Sequence, residues 1–172
     1  MAMTLLTGPV ASGKSSLAAR MASSWDGPVT VIATAEALDE EMAARIERHR
    51  ADRPASWTVV EEPRDLEGAV AAFAPDAFAI VDCLTLWVTN LMLGDVDDVE
   101  GRAGIVAETL AARAAPSVVV TNEVGWGIVP ANDLARAYRE VLGRVNGVFA
   151  AEAERVLLVV AGRMVELGEV EA

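Results

Sequence analysis

Eight consecutive residues, Gly8-Pro-Val-Ala-Ser-Gly-Lys-Ser15, constrain this chain more than any other stretch. They fit the pattern G-x-x-x-x-G-K-[ST], with a short strand-like run, Met3–Thr7, ahead of them and a helical segment behind. The spacing has a chemical reason. Gly8 and Gly13 permit backbone angles that turn successive N–H groups inward around a phosphate. A helix opening near Lys14 adds the positive end of its dipole. The Lys14 ammonium reaches the β- and γ-phosphates of ATP or GTP, and the Ser15 hydroxyl ligates Mg²⁺. Gly8, Pro9, Val10, Ala11, Ser12, Gly13, Lys14 and Ser15 are therefore expected to bind nucleotide.

A phosphate cradle does not name a reaction, and the rest of the chain must discriminate. Continuous apolar runs predict strands at Met3–Thr7, Val29–Ala33, Trp57–Val60, Phe78–Asp82, Ser117–Thr121 and Val156–Val160, with a short last strand at Arg163–Leu167. Helices are predicted at Lys14–Ser24, Glu40–Ala51, Leu66–Phe73, Leu86–Leu93, Val99–Arg113 and Asn132–Glu154, with Asp39 and Asn132 at N-cap positions. Alternating strands and helices indicate an α/β fold, a mostly parallel sheet with helices on both faces. The 172 residues make one domain, 1–172. Aromatic residues are only 5%, so the core must be built from Ala, Val and Leu. The acidic stretch Gly94–Gly101 reads as an exposed loop whose spacing does not fit an EF-hand.

A formal net charge of −12 argues against duplex nucleic acid and anionic membranes as partners. It does not argue against a small anion, which needs only local cations, and Arg45, Arg48, Arg50 and Arg53 fall within nine positions. The single cysteine, Cys83, sits in an apolar run and reads as an inert, buried thiol. No run reaches the length of a membrane span, and the N-terminus lacks the basic region of a signal peptide; a cytoplasmic protein is expected.

Two further places carry chemistry. Phe78-Ala-Ile-Val-Asp82 ends a buried strand in a carboxylate, where Asp82 would face nucleotide-bound Mg²⁺ at the crevice of the sheet. Ser117-Val-Val-Val-Thr-Asn-Glu123 ends similarly, so Thr121, Asn122 and Glu123 are expected to face the same crevice, with Glu123 as an additional site residue. The only histidine, His49, shares a helix face with Met42 and Ile46, as a packing residue would. Adjacent cations favour the neutral, nucleophilic imidazole, and the arginines around it could hold a triphosphate. They read equally well as a solvated face, with Glu41 against Arg45 and Glu47 against Arg50.

With the cradle, four stretches resemble the bifunctional adenosylcobinamide kinase / adenosylcobinamide-phosphate guanylyltransferase family of cobalamin biosynthesis. They are Val31-Ile-Ala-Thr-Ala35, the run from Asp39 through Arg-His-Arg-Ala-Asp-Arg53 to Trp57, Thr89-Asn90, and Thr121-Asn-Glu-Val-Gly-Trp-Gly-Ile-Val-Pro130. The resemblance implies a RecA-like P-loop NTPase fold, a homotrimer, and two reactions. In the first, ATP or GTP phosphorylates adenosylcobinamide. In the second, His49 attacks the α-phosphate of GTP and passes GMP to the cobinamide phosphate. It also implies nucleotide contacts at Ala33, Thr34, Ala35, Arg50, Ala51, Asp52, Arg53, Glu61 and Asp82. The chain departs from the family pattern at Pro9, Val10 and Ala11, where Gly-Ala-Arg is common, at Asp82 for Glu, and at Arg48 for a second histidine. A plain P-loop kinase or NTPase with a structural His49 is the alternative, and a regulatory nucleotide-binding module is a second.

Overall fold

A computed structural model describes residues 3–94 and 96–170 of the chain. Met1, Ala2 and Asp95, which belong to the N-terminal and acidic stretches considered above, lie outside it. The elements run β1 (Met3–Thr7), α1 (Lys14–Ser23), β2 (Val29–Ala33), α2 (Glu40–Ala51), β3 (Thr58–Glu61), α3 (Leu66–Ala71) and β4 (Phe78–Asp82). They continue with α4 (Leu84–Leu93), α5 (Val99–Ala111), β5 (Ser117–Val120), α6 (Asp133–Glu152), β6 (Arg155–Val160) and β7 (Arg163–Leu167).

The strands form one seven-stranded sheet in the order β3-β2-β4-β5-β1-β6-β7. All pairs are parallel except β6–β7, an antiparallel hairpin. Its two-residue turn, Ala161-Gly162, has φ of 50° and 72°, the geometry that suits the right-handed twist of a tight hairpin. β1 is buried along its whole length and β5 likewise, as expected for central strands covered on both faces.

Side chains alternate between the two faces of each strand, and the two cores follow that parity. Leu6, Val31, Ile80 and Val120 pack with Ala18 and Ala22 of α1. Leu5, Ile32, Val81 and Val119 pack on the other face with Trp87 of α4, Leu110 of α5 and Phe149 of α6. Trp87 is fully buried, and its indole donates to Arg64 O at 3.0 Å. Capping sets the helix starts: Met42 N donates to Asp39 Oδ1 at 2.7 Å, and Ala135 N to Asn132 Oδ1 at 2.7 Å. Within the acidic stretch, Asp98 caps α5 by accepting from Gly101 N, and Val96 packs on the core. No cluster of metal-holding side chains occurs there or elsewhere among the described residues. α4 starts at Leu84, two residues before the expected start, with Cys83 in extended backbone at its N-cap. β3 is displaced by one residue and ends on Glu61. No helix is long and apolar enough to cross a membrane.

Candidate functional site

The C-terminal ends of β1, β2, β4 and β5 open toward the N-terminus of α1, where an open α/β sheet binds ligands. A cleft of about 280 Å³ lies there. The cradle forms one wall from Val10 to Ser16. α2 forms the opposite wall with Met42, Arg45, Ile46, His49 and, just beyond the helix, Arg53. Ala33, Ala35, Asp82, Cys83, Val120 and Asn122 supply the floor. Cradle and histidine, 41 to 34 residues apart in the chain, thus line one cavity.

The loop needs its glycines. Gly8 sits at φ +139°, and a Cβ there would lie 2.2 Å from Val159 O of β6. Gly13, at φ +103°, precedes the first turn of α1. Ala11 holds a positive φ of 57° without being glycine. Lys14 is buried and bends back over the loop. Its ammonium donates to Gly8 O at 2.9 Å, Pro9 O at 2.7 Å and Ser12 Oγ at 3.4 Å. Burial pushes the Lys14 ammonium below its ordinary value, against the opposing pull of Cys83 and Asp82.

Asp82 follows Ile80 by two and shares its face, which is the α1 face; parity therefore delivers its carboxylate beside Ser15. The two oxygens divide their work. Ser15 Oγ donates to Oδ1 at 3.4 Å. Oδ2 accepts from Arg53 at 3.1 Å and lies 3.8 Å from His49 Nδ1, farther than a hydrogen bond reaches. Burial alone would raise the Asp82 carboxyl, but the facing imidazole and the Arg53 guanidinium outweigh it and hold the group below its ordinary 3.8. The His49 side chain is 39% exposed. Cys83 lies on the floor of the cleft, and burial, with Asp82 next to it, pushes its thiol up to about 11.

The remaining expected residues divide into those that line the cavity and those that do not. Asp52 lines an adjoining hollow of about 440 Å³ that also touches His49, Arg53 and Trp57. Arg50 turns outward, pairing with Glu47 at 2.6 Å and with Glu61. Arg48 donates to Ala44 O. The arginines therefore do not ring His49 as a group; Arg53 and Arg45 are the two that share its cleft. Thr34 is buried and ties β2 to β4, its hydroxyl donating to Cys83 O at 2.7 Å and accepting from Cys83 N at 2.9 Å. Glu123 accepts from Gly125 N within its own loop, while its N–H donates to Gly8 O at 3.1 Å.

Thr121 corrects an expectation. It is fully buried and donates to Asn146 Oδ1 of α6 at 2.7 Å, away from the crevice. Val120 faces α1, so the next residue must face the other side and Asn122 returns to the cleft. Arg45 and Asn122 line the cleft, where the sequence reading expects them, whereas Leu86 lines it without having been singled out. Asn90 is also explained. Its amide donates to Thr34 O at 2.8 Å and Pro63 O at 3.1 Å, pinning the loop after β2.

Ser15 Oγ and Asp82 Oδ1 form a small set of hard oxygen donors. Mg²⁺ takes one or two such protein ligands and completes its shell with phosphate oxygens and water, so the pair suits it.

A family profile described as cobinamide kinase / cobinamide phosphate guanyltransferase matches residues 4–167. The bifunctional adenosylcobalamin biosynthesis protein CobP of Pseudomonas aeruginosa is 41% identical over 160 residues, which cover 92% of each chain. The corresponding protein CobU of Salmonella typhimurium is 42% identical over 176 residues, covering 93% of this chain and 96% of that one. Among solved structures, the RadB recombinase matches with a TM-score of 0.55 at 14% identity, covering 91% of this chain and 73% of that one. A Pyrococcus horikoshii protein matches with a TM-score of 0.55 at 10% identity, covering 96% and 85%. The last two share this chain's fold, a mostly parallel sheet with helices on both faces.

Proposed function

Because this chain belongs to the cobinamide kinase / cobinamide phosphate guanyltransferase family, we propose that its cleft carries out two successive transfers in cobalamin biosynthesis. First, ATP or GTP phosphorylates adenosylcobinamide. Second, GTP gives up GMP to the product through a guanylyl-histidine on His49. The observation that carries the reading is the shared cleft, with the phosphate cradle on one wall and the only histidine on the other.

In the first transfer the acceptor hydroxyl oxygen bonds to the γ-phosphorus, the bond from γ-phosphorus to the bridging oxygen breaks, and the nucleoside diphosphate leaves as the hydroxyl proton passes to solvent. The loop N–H groups and Lys14 hold the β- and γ-phosphates and offset the charge that develops on them. Lys14 must exchange its loop carbonyls for phosphate oxygens to do so. Ser15 and Asp82 would hold Mg²⁺, which would offset the negative charge of the phosphates during transfer.

In the second transfer an imidazole nitrogen of His49 bonds to the α-phosphorus, the bond to the bridging oxygen breaks, and pyrophosphate departs from the same cradle. The imidazole's other N–H releases its proton. A phosphate oxygen of the cobinamide phosphate then bonds to that phosphorus and the P–N bond breaks as the ring takes a proton back from solvent, giving adenosylcobinamide-GDP and free His49. Asp82 Oδ2, beside Nδ1, orients the ring and stabilises positive charge on it during attack. Arg53 and Arg45 stand where the α-phosphate would arrive; Ala33 and Ala35 leave room for the nucleoside. For Arg50, Ala51, Asp52, Glu61 and Thr34 we propose support of the nucleotide site through the α2–β3 segment and the loop after β2. We propose a homotrimer as the working assembly.

The test is incubation with GTP radiolabelled at the α-phosphate or, in parallel, at the γ-phosphate. Retained label is expected only from the α-position, stable to alkali and labile to acid. The His49→Ala variant should lose it while still phosphorylating adenosylcobinamide. An active, folded protein that never retains α-label would leave a plain P-loop kinase.

A further inference from the structure

We infer that the groove between α1 and the β6–β7 hairpin is a second nucleoside subsite, taking the purine and ribose of the phosphoryl donor in the kinase step. This rests on the two-step reading above. The groove encloses about 560 Å³, within the range of small-molecule sites. Leu17 and Arg20 of α1 face Val159, Gly162, Arg163 and Met164 of the hairpin across it.

Contiguity with the cradle is the first observation. Gly13 and Ser16 line both this groove and the cleft that holds His49. Gly162 N donates to Ser12 O at 2.9 Å, so the hairpin turn is fastened to the phosphate loop itself. A nucleoside attached to phosphates in the cradle can therefore leave it on either side of Ser16.

Charge is the second. The chain has thirteen arginines. Ten of them are engaged by carboxylates or carbonyl oxygens. Among the described residues only Arg20, Arg45 and Arg163 have no such partner, and each lines a cavity that opens from the phosphate loop. Arg45 serves the cleft beside α2, whereas Arg20 and Arg163 serve the groove. In a chain of net charge −12, two unpaired guanidiniums in one groove favour an anionic, π-faced ligand. Leu17 and Met164 supply the apolar surface on which a purine packs.

The chemistry needs two poses. The cradle grips β- and γ-phosphates in both transfers, but only the second breaks a bond at the α-phosphorus. A nucleoside leaning toward α2 brings that phosphorus to His49. A nucleoside leaning into the hairpin groove carries it away, so the γ-phosphoryl group can be transferred without guanylylating or adenylylating His49.

The experiment photolabels the full-length protein with azido-ATP in which the azide sits on the purine, and maps the modified peptides. Steady-state kinetics of the Arg163→Ala and Met164→Ala variants run beside it. Both residues lie on an exposed strand, so the variants should fold. Label is expected within 159–164, with the ATP KM of the kinase step rising about fivefold in Arg163→Ala. The rate of α-label transfer from GTP to His49 should be unchanged. Label confined to 33–61, or an equal effect of Arg163→Ala on both steps, would overturn the subsite. Label on the hairpin in a protein that leaves adenosylcobinamide unphosphorylated would uphold the subsite and sink the substrate reading.

Discussion

Asp82 organises the site, holding Ser15 with one oxygen and Arg53 and His49 with the other. Its carboxyl lies below its ordinary value, so its contribution to stability is present above pH 3.8 and is lost as pH falls through the lower native value. Urea midpoints measured from pH 7 down to pH 3 should therefore fall more steeply in the wild type than in Asp82→Asn. At pH 7 the variant should be less stable by about 3 kcal/mol, because Arg53, whose side chain is only 13% exposed, is left without its partner. A parallel pH response would show that the carboxylate is not held by Arg53 and the facing imidazole. Cys83 gives a second reading at this scale. A thiol raised to about 11 carries little thiolate at pH 8. Its alkylation should run about a hundredfold slower than that of a free thiol of ordinary pKa, and accelerate only above pH 10. The motif and the strand ending in Asp82 were legible in the sequence, since both are local patterns. The partner of each arginine was not. Arg53 and Asp82 are 29 residues apart, and only the fold decides that Arg50 turns to Glu61 while Arg53 turns inward.

The elements themselves were largely readable, because buried parallel strands are written as unbroken apolar runs and two of the helices that follow them announce their caps. The errors came where a signal was shared by two readings. Thr121 was expected in the crevice because it ends a buried strand, but strand parity turns it toward Asn146. The sequence reading opens α4 at Leu86, whereas the helix opens at Leu84 behind Cys83, whose side chain makes no cap hydrogen bond. The hairpin at β6–β7 was seen as a strand without its partner's direction. Its role emerges only in three dimensions, where Val159 O blocks any side chain at Gly8 and Gly162 N ties to Ser12. Gly8→Ala must both adopt φ +139° and displace β6, so it should cost about 3 kcal/mol and abolish nucleotide binding. Urea unfolding and binding of a fluorescent nucleotide analogue check the two effects together. A wild-type midpoint in the variant would mean that the loop approaches β6 less closely than described.

At the scale of the whole molecule, one group of exposed apolar residues lies in the loop that leads into α6 and at the start of that helix. Trp126 is 71% exposed, Ile128 97% and Val129 67%, with Leu134 beside them. Surface of that kind is commonly covered by another chain. Light scattering behind size exclusion should return about three times the chain mass of 18.1 kDa, and Trp126→Asp with Ile128→Asp should shift it toward a single copy. A single copy for the unaltered protein would remove the trimer. The lysine that bends over its own loop has a meaning for turnover. Because Gly8 O, Pro9 O and Ser12 Oγ already satisfy its ammonium, phosphate arrives by substitution, and departing phosphate is replaced at once by the loop. The grip on any anion is thus a difference between two well-bonded states. A catalyst that must let go of a nucleoside diphosphate and later a pyrophosphate from the same cradle gains from holding each of them only that tightly.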